Sequence, residues 1–235
     1  MSLAKLRTEM RRAASPARAR GALRFFKGGP GEYGEGDRFL GLDAAGMHGA
    51  AQRHSALPLG DVRKLLRSRW HEERAVALLI LVRQYRRGDE AARKRIYQLY
   101  LRSTKHINNW DLVDCSAEHI VGAWLYTHPA ERGRVFDRLA RSSSLWERRI
   151  AMIATRHFIR QGDFRETLRI AQMLLRDEHD LIHKATGWML REVGDRNHAV
   201  EVGFLRRFAA RMPRTMLRYA IEKFPERERQ RWLRK

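Results

Sequence analysis

Residues 75–100, AVALLILVRQYRRGDEAARKRIYQLY, decide the fold class. Val76, Leu79 and Ile80 recur at helical spacing, and so do Ile96, Leu99 and Tyr100. Between the two sets, Gly88-Asp89 reads as a helix end followed by an N-cap. The stretch is therefore helix, tight turn, helix. Its apolar run, Ala75 to Val82, is far too short to span a bilayer.

The same grammar extends outward. Val62, Leu65 and Leu66 repeat the helical spacing, helical periodicity holds from Leu57 to the end, and strand-like alternation is nearly absent. Punctuation returns at Gly60-Asp61, His128-Pro129, Ser142-Ser143-Ser144, Gly162-Asp163, Gly194-Asp195, Met212-Pro213 and Phe224-Pro225. Each interval holds about one helix of ordinary length. Helix pairs joined by short turns suggest an α-solenoid, although the segments share only a form: apolar on one face, arginine on the other. An irregular helical bundle has the same look. Glycine is dense from Lys27 to Leu42 and breaks the helical pattern. The expected organisation is a single domain over 1–235. It comprises an N-terminal helical pair (1–27), a Gly-rich connection (28–42) anchored by Phe39-Leu40-Gly41-Leu42, and a main solenoid (43–235).

Composition narrows the partner. The 235 residues include 48 Lys and Arg against 27 Asp and Glu, a net charge of +21, with 43% hydrophobic residues. A chain this apolar is not a disordered polycation. Its charge opposes compaction and calls for a polyanionic partner, of which nucleic acid is the first candidate. Anionic membrane competes, but no helix sets a bulky apolar face beside a solid lysine face. The single cysteine, Cys115, excludes an internal disulfide and a multi-cysteine metal site, and fits a reducing cytoplasm. The basic start, Met1 to Arg20, lacks the apolar core of a secretory signal. Arginine richness there also suits an organelle transit peptide; Glu9 and continuity into the fold argue against one.

Four stretches combine aromatic, acidic and cationic side chains. In Asn108-Asn109-Trp110-Asp111-Leu112-Val113-Asp114, either asparagine can cap a helix, Asp111 suits its first turn, and Trp110 and Asp114 share one face at i and i+4. The bland alternative is a solvated acid and a packing tryptophan. In Trp146-Glu147-Arg148-Arg149, the helix continues through core positions Ile150, Ile153, Ala154 and Phe158, with Arg149, Arg156 and Arg160 on another stripe. Such a stripe can track phosphates or simply be solvated. Lys184 and Arg191 flank Trp188 at i−4 and i+3, which suits a nucleic-acid backbone with a stacked ring, or equally a core tryptophan with snorkelling neighbours. Pro213 opens a helix with Arg214 and Arg218 one turn apart, a phosphate seat or a solvated face. One carboxylate, aromatic plates and many cations point to a positively charged base on a polyanion.

Other chemistries find little support. His54, His71, His106, His119, His157 and His183 are scattered, with no HExxH and no tight cluster of histidine and acid; most are expected at the surface or as caps. Phosphate-cradling glycine motifs are missing, as is a recognisable Ser or Cys nucleophile. Cys115 is expected buried and inert. Neither a metal nor a cofactor is expected.

Ordered along the chain, these stretches resemble the AlkD-like branch of the DNA alkylation repair family, bacterial glycosylases built from HEAT-like repeats. The resemblance is strongest in 107–114, 145–151, 182–192 and 213–222, and extends to Gly36-Asp37-Arg38-Phe39-Leu40-Gly41. There the family's proline-led helix start is replaced by Leu42-Asp43-Ala44-Ala45-Gly46. It implies an all-α HEAT-like solenoid with a curved, basic concave groove. It also implies excision of N-alkylated purines, chiefly 3-methyladenine and 7-methylguanine, from double-stranded DNA, with the base left stacked. Carried over by residue, Asp114 is the catalytic carboxylate, Trp110 and Trp188 the aromatic walls, and Arg149 the backbone-facing cation. Arg148, Arg156, Lys184, Arg191, Arg214 and Arg218 are the expected DNA contacts. A monomer in the bacterial cytoplasm, associated with the nucleoid, is expected. The competing expectations are a non-catalytic binder of damaged or branched DNA, and a scaffold for an acidic protein.

Overall fold

A computed structural model describes residues 2–234. Met1 and Lys235, the ends of the expected domain, lie outside the described residues. Among the described residues, secondary structure is helical apart from one isolated bridge between Arg38 and Trp70. The fold is an all-α helical repeat, and it divides into two compact units, residues 1–116 and 117–235.

The first unit holds α1 (Leu3–Arg12), α2 (Pro16–Phe25), α3 (Ala44–Arg53), α4 (Leu59–Leu66), α5 (His71–Arg87), α6 (Glu90–Leu101) and α7 (Trp110–Asp114). The stretch that decides the fold class is its centre. Helix α5 packs against α3, α4, α6 and α7 and is buried almost throughout, from His71 to Leu78 and again at Ile80 to Val82. Covered on most sides, it has no clean apolar stripe, which is why Leu79 ends half-buried while Leu78 is fully buried. Gly88 ends α5 and the Asp89 side chain caps α6 by accepting from Ala92 N at 2.8 Å, as the turn grammar requires.

Helices α1 and α2 lead into a glycine-rich connection before α3. Leu6 and Met10 of α1 are buried, whereas α2 buries no side chain fully and leaves Phe25 64% exposed. The connection is strapped down by Glu72 on α5. Its carboxylate accepts from the amides of Leu40 (2.9 Å), Gly41 (2.7 Å) and Leu42 (3.3 Å). Gly41 has φ +82°, and a Cβ there would lie 2.1 Å from Ser15 O, so glycine is required. In place of a proline-led start, the Asp43 side chain caps α3 through Gly46 N at 2.8 Å.

The second unit opens with a π-helical turn, Glu118–Gly122. It continues through α8 (Ala123–Thr127), α9 (Pro129–Ala140), α10 (Leu145–Ala154), α11 (Arg156–Arg160), α12 (Arg165–Met173), α13 (Asp180–Gly194), α14 (His198–Phe208), α15 (Arg214–Ala220) and α16 (Glu226–Leu233). Helices pair in sequence order, α9 with α10, α12 with α13 and α13 with α14, while α10, α13 and α15 form a buried row. Gly187 sits where α13 meets α15: a Cβ would fall 2.4 Å from Met216 O and 2.5 Å from Tyr219 Cβ. Prolines 129, 213 and 225 stand at helix starts as expected.

Three expectations are corrected. Gly60-Asp61 does not punctuate; α4 begins at Leu59 behind Pro58, placing both residues in its first turn. The long helix expected from Trp146 through Arg160 breaks at Thr155, whose hydroxyl donates back to Met152 O at 2.7 Å, so Arg149 and Arg156 stand on different helices. His54 and His71 are not surface residues. Both are buried, because carboxylates pair with them: Glu9 with His54, and Asp37 and Asp111 with His71. That last group is a tight cluster of histidine and acid, where none is legible in the sequence.

Candidate functional site

The first unit presents Trp110 and Asp114 at the two ends of α7, both half-buried. Asn109 caps the helix, its Oδ1 accepting from Trp110 N at 2.8 Å. Leu112 and Val113 between them are fully buried, which turns the opposite face of this single turn outward. Trp110 continues an aromatic row. Its ring lies 5.5 Å from Phe26 and 5.7 Å from Phe25, and Phe26 stacks on Phe39 at 5.5 Å. Phe25 and Phe26 are invisible as site residues in the sequence, because spacing gives no pairing across the long stretch to Trp110.

Beneath that row lies a buried ionic network. His71 Nε2 is 2.8 Å from Asp111 Oδ2 and its Nδ1 is 3.1 Å from Asp37 Oδ2. Asp37 Oδ1 accepts from Arg74 Nη2 at 2.7 Å. Burial opposes a charge on His71, yet the bonds to Asp111 and Asp37 prevail and raise its pKa to about 9. Burial likewise opposes ionisation of Asp37, but His71 and Arg74 hold its carboxyl below the ordinary value. Cys115, next in the chain after Asp114, has its thiol pushed well up by burial and stays protonated at neutral pH.

The second unit carries the other expected residues. Ala185, Met189 and Val193 make the buried face of α13 and leave Trp188 half-buried. Trp188 Nε1 donates to Glu192 Oε1 at 2.9 Å, and the Arg156 guanidinium lies 5.0 Å from the Trp188 ring centroid. Arg156 also pairs with Glu192 and with Glu118 of the π-helical turn, each at 3.4 Å. Arg149 is 5% exposed and its Nη1 donates to Leu181 O at 2.5 Å, tying α10 to the second residue of α13. Arg148 reaches Asp177 at 2.6 Å and the carbonyls of Ser142 and Ser143 at 3.0 Å each. Lys184 pairs with Asp180 at 2.6 Å, and Arg191 with Glu222. On α15, Arg214 Nη1 donates to Leu233 O at 2.8 Å, and Arg218 is exposed. Most of these cations are therefore held by carboxylates or carbonyls at fixed positions, while Arg218 offers its charge directly to solvent.

Among the described residues, no three His, Cys, Asp or Glu side chains are grouped to hold a metal ion, and no helix is long and apolar enough to cross a membrane. Chemically, the first unit offers an aromatic surface with one carboxylate a helical turn away, and the second a tryptophan between guanidinium and carboxylate.

Comparison with known proteins gives these features a context. No curated protein matches the chain. Among solved structures it is similar to a predicted DNA alkylation repair enzyme from Enterococcus faecalis, with TM-score 0.70 and 15% identity, covering 91% of this chain and 97% of that one. At that identity the likeness speaks to fold. The sequence model of the family described as DNA alkylation repair enzyme matches residues 6–224. The chain therefore belongs to the DNA alkylation repair enzyme family.

Proposed function

We propose that this protein is an alkylpurine DNA glycosylase, releasing N3- and N7-alkylated purines from duplex DNA in base excision repair. The observation that carries the reading is α7, which sets the Asp114 carboxylate one helical turn from Trp110 at the end of an aromatic row. Family membership supports a role in alkylation repair, and the net charge of +21 supports DNA as the partner.

The chemistry follows from the lesion. Alkylation at N3 or N7 makes the purine cationic and already a good leaving group, so little acid catalysis is needed. The sugar becomes oxocarbenium-like as the bond breaks, as in glycoside cleavage. Asp114 stabilises that charge and orients water towards C1′, a preorganised electrostatic contribution. Tryptophan faces, Trp110 in the first unit and Trp188 in the second, each favour a cation by roughly 0.5–2 kcal/mol. Arg149 supports the backbone side of the site, with Arg148, Arg156, Lys184, Arg191, Arg214 and Arg218 as further DNA contacts. In this reading the lesion is gripped through its backbone and the base stays stacked, unlike enzymes that extrude the base into a pocket. The protein acts as a monomer on bacterial chromosomal DNA.

The test is release of free base from duplex DNA carrying 7-methylguanine. Release above the uncatalysed rate supports the proposal. No release, together with tight and salt-dependent binding, would replace it with a non-catalytic DNA binder on the same fold.

A further inference from the structure

We infer that His71 is a positioning residue, a buried cation that ties Asp37 and Asp111 together and thereby sets the orientation of α7 with its Trp110 and Asp114. The inference rests on the reading above that this pair works on the lesion, and it extends that reading to a residue on a different helix.

The geometry fixes the charge first. Both ring nitrogens of His71 face carboxylate oxygens, at 2.8 and 3.1 Å. A neutral imidazole has one N–H, so only the doubly protonated ring donates to both. The side chain is 2% exposed, which keeps water from substituting for either partner. Every charged group around it fits this state. Asp111 faces it from α7, and Asp37 from the glycine-rich connection. On α5 itself, Arg74 opposes the charge but is engaged by Asp37 and by Ser68 O. Glu72 turns to the Leu40–Leu42 amides, and Glu73 to Arg7. His106, near Arg74 and Arg67, is held towards its neutral form by burial and by those two cations. The same balance supports a charged His71 up to about pH 9.

Position gives the cation its consequence. Asp111 lies between Trp110 and Asp114 on a helix of five residues, far too short to persist alone. Its bearing must come from tertiary ties, and the His71–Asp111 bond supplies an ionic one at its first turn. A second path runs through rings: Phe26 lies 4.6 Å from the His71 ring and 5.5 Å from Trp110. The far end is anchored too, since His71 N donates to Arg38 O at 2.8 Å and Arg38 N to Arg69 O at 3.2 Å. Losing the proton removes one of the two bonds and the attraction between α7 and the connection.

The experiment follows the Trp110 indole N–H by NMR in the free protein, assigned with Trp110→Phe, from pH 6 to 10.5, in wild type and His71→Gln. The expected result is a titration of that signal with a midpoint near 9 in wild type and its disappearance in His71→Gln. Asp111→Asn, which keeps the shape of the partner, should abolish it as well. In parallel, His71→Gln should lower the single-turnover excision rate about 10- to 100-fold, with lesion-DNA affinity changed less than about threefold. A Trp110 signal that is flat in wild type, or that titrates unchanged in His71→Gln, overturns the inference. Titration as expected in a wild type that releases no base supports the positioning role and overturns only the glycosylase reading.

Discussion

The guanidinium of Arg156 lies 5.0 Å from the centroid of the Trp188 ring, and Glu192 accepts hydrogen bonds from both side chains. A half-buried tryptophan is thus held between a cation and a carboxylate before any DNA arrives. Its ring has a fixed bearing, so under the proposed function its action on a charged lesion needs no reorganisation. Trp188→Ala should slow excision of cationic 7-methylguanine by about 2- to 30-fold, the range of a cation–π contact. Neutral lesions should be affected less. Single-turnover rates on both substrates check this, and equal losses would mean that the ring only packs.

Arg149 and Arg218 should separate structural from electrostatic roles. Arg149 is buried and its charged guanidinium donates to Leu181 O, so Arg149→Ala should cost about 1.5–3 kcal/mol by removing that hydrogen bond. For a chain of this size that lowers Tm by about 2–4 °C per kcal/mol. Exposed Arg218 should behave oppositely: Arg218→Ala keeps Tm but reduces the slope of log K against log salt by about 1. Melting curves and salt titrations decide. A reduced slope beside the lower Tm in Arg149→Ala keeps Arg149 on the backbone side of the proposed site, and an unaltered slope makes it a structural residue only.

Rising pH should weaken the fold through two groups, Glu201 from about pH 4.5 to 8 and His71 from about 6.5 to 9. Burial, reinforced by Asp195 and opposed by Arg191, pushes the Glu201 carboxyl up to about 8. Its folded pKa exceeds the ordinary 4.5, so its share of stability is complete below pH 4.5 and is lost as pH rises through 8. His71 follows the same sign, with its share complete below pH 6.5 and lost through about 9. A tenfold difference in proton affinity between folded and unfolded chains is worth about 1.4 kcal/mol, so each group contributes a few kcal/mol at most. Glu201→Gln should therefore denature at more nearly equal urea concentrations at pH 5 and pH 8 than wild type does. An unchanged difference between the two pH values would remove Glu201 from the account.

What the sequence makes legible is local. Gly88-Asp89, His128-Pro129 and Phe224-Pro225 mark helix boundaries because caps and first-turn prolines act over a few residues. The Asn109 cap and the placement of Trp110 and Asp114 on one helix are legible for the same reason. What is hidden depends on distance along the chain. His71 meets acids 34 positions before it and 40 positions after it, and reads as an ordinary polar residue at a helix start. Arg149 reads as a surface cation until Leu181 O, 32 positions away, accepts its hydrogen bond. The break at Thr155 escapes periodicity because the apolar pattern runs on through Phe158 across it.

The central claim is that Asp114 is the catalytic carboxylate, and one measurement addresses it directly. Single-turnover release of 7-methylguanine from duplex DNA is compared in wild type and Asp114→Asn, with the affinity of each for the same duplex measured alongside. Wild type should release the base, Asp114→Asn should lose release by at least about 100-fold, and its affinity should be equal or higher once a negative charge is removed. Release by Asp114→Asn at the wild-type rate would contradict that claim.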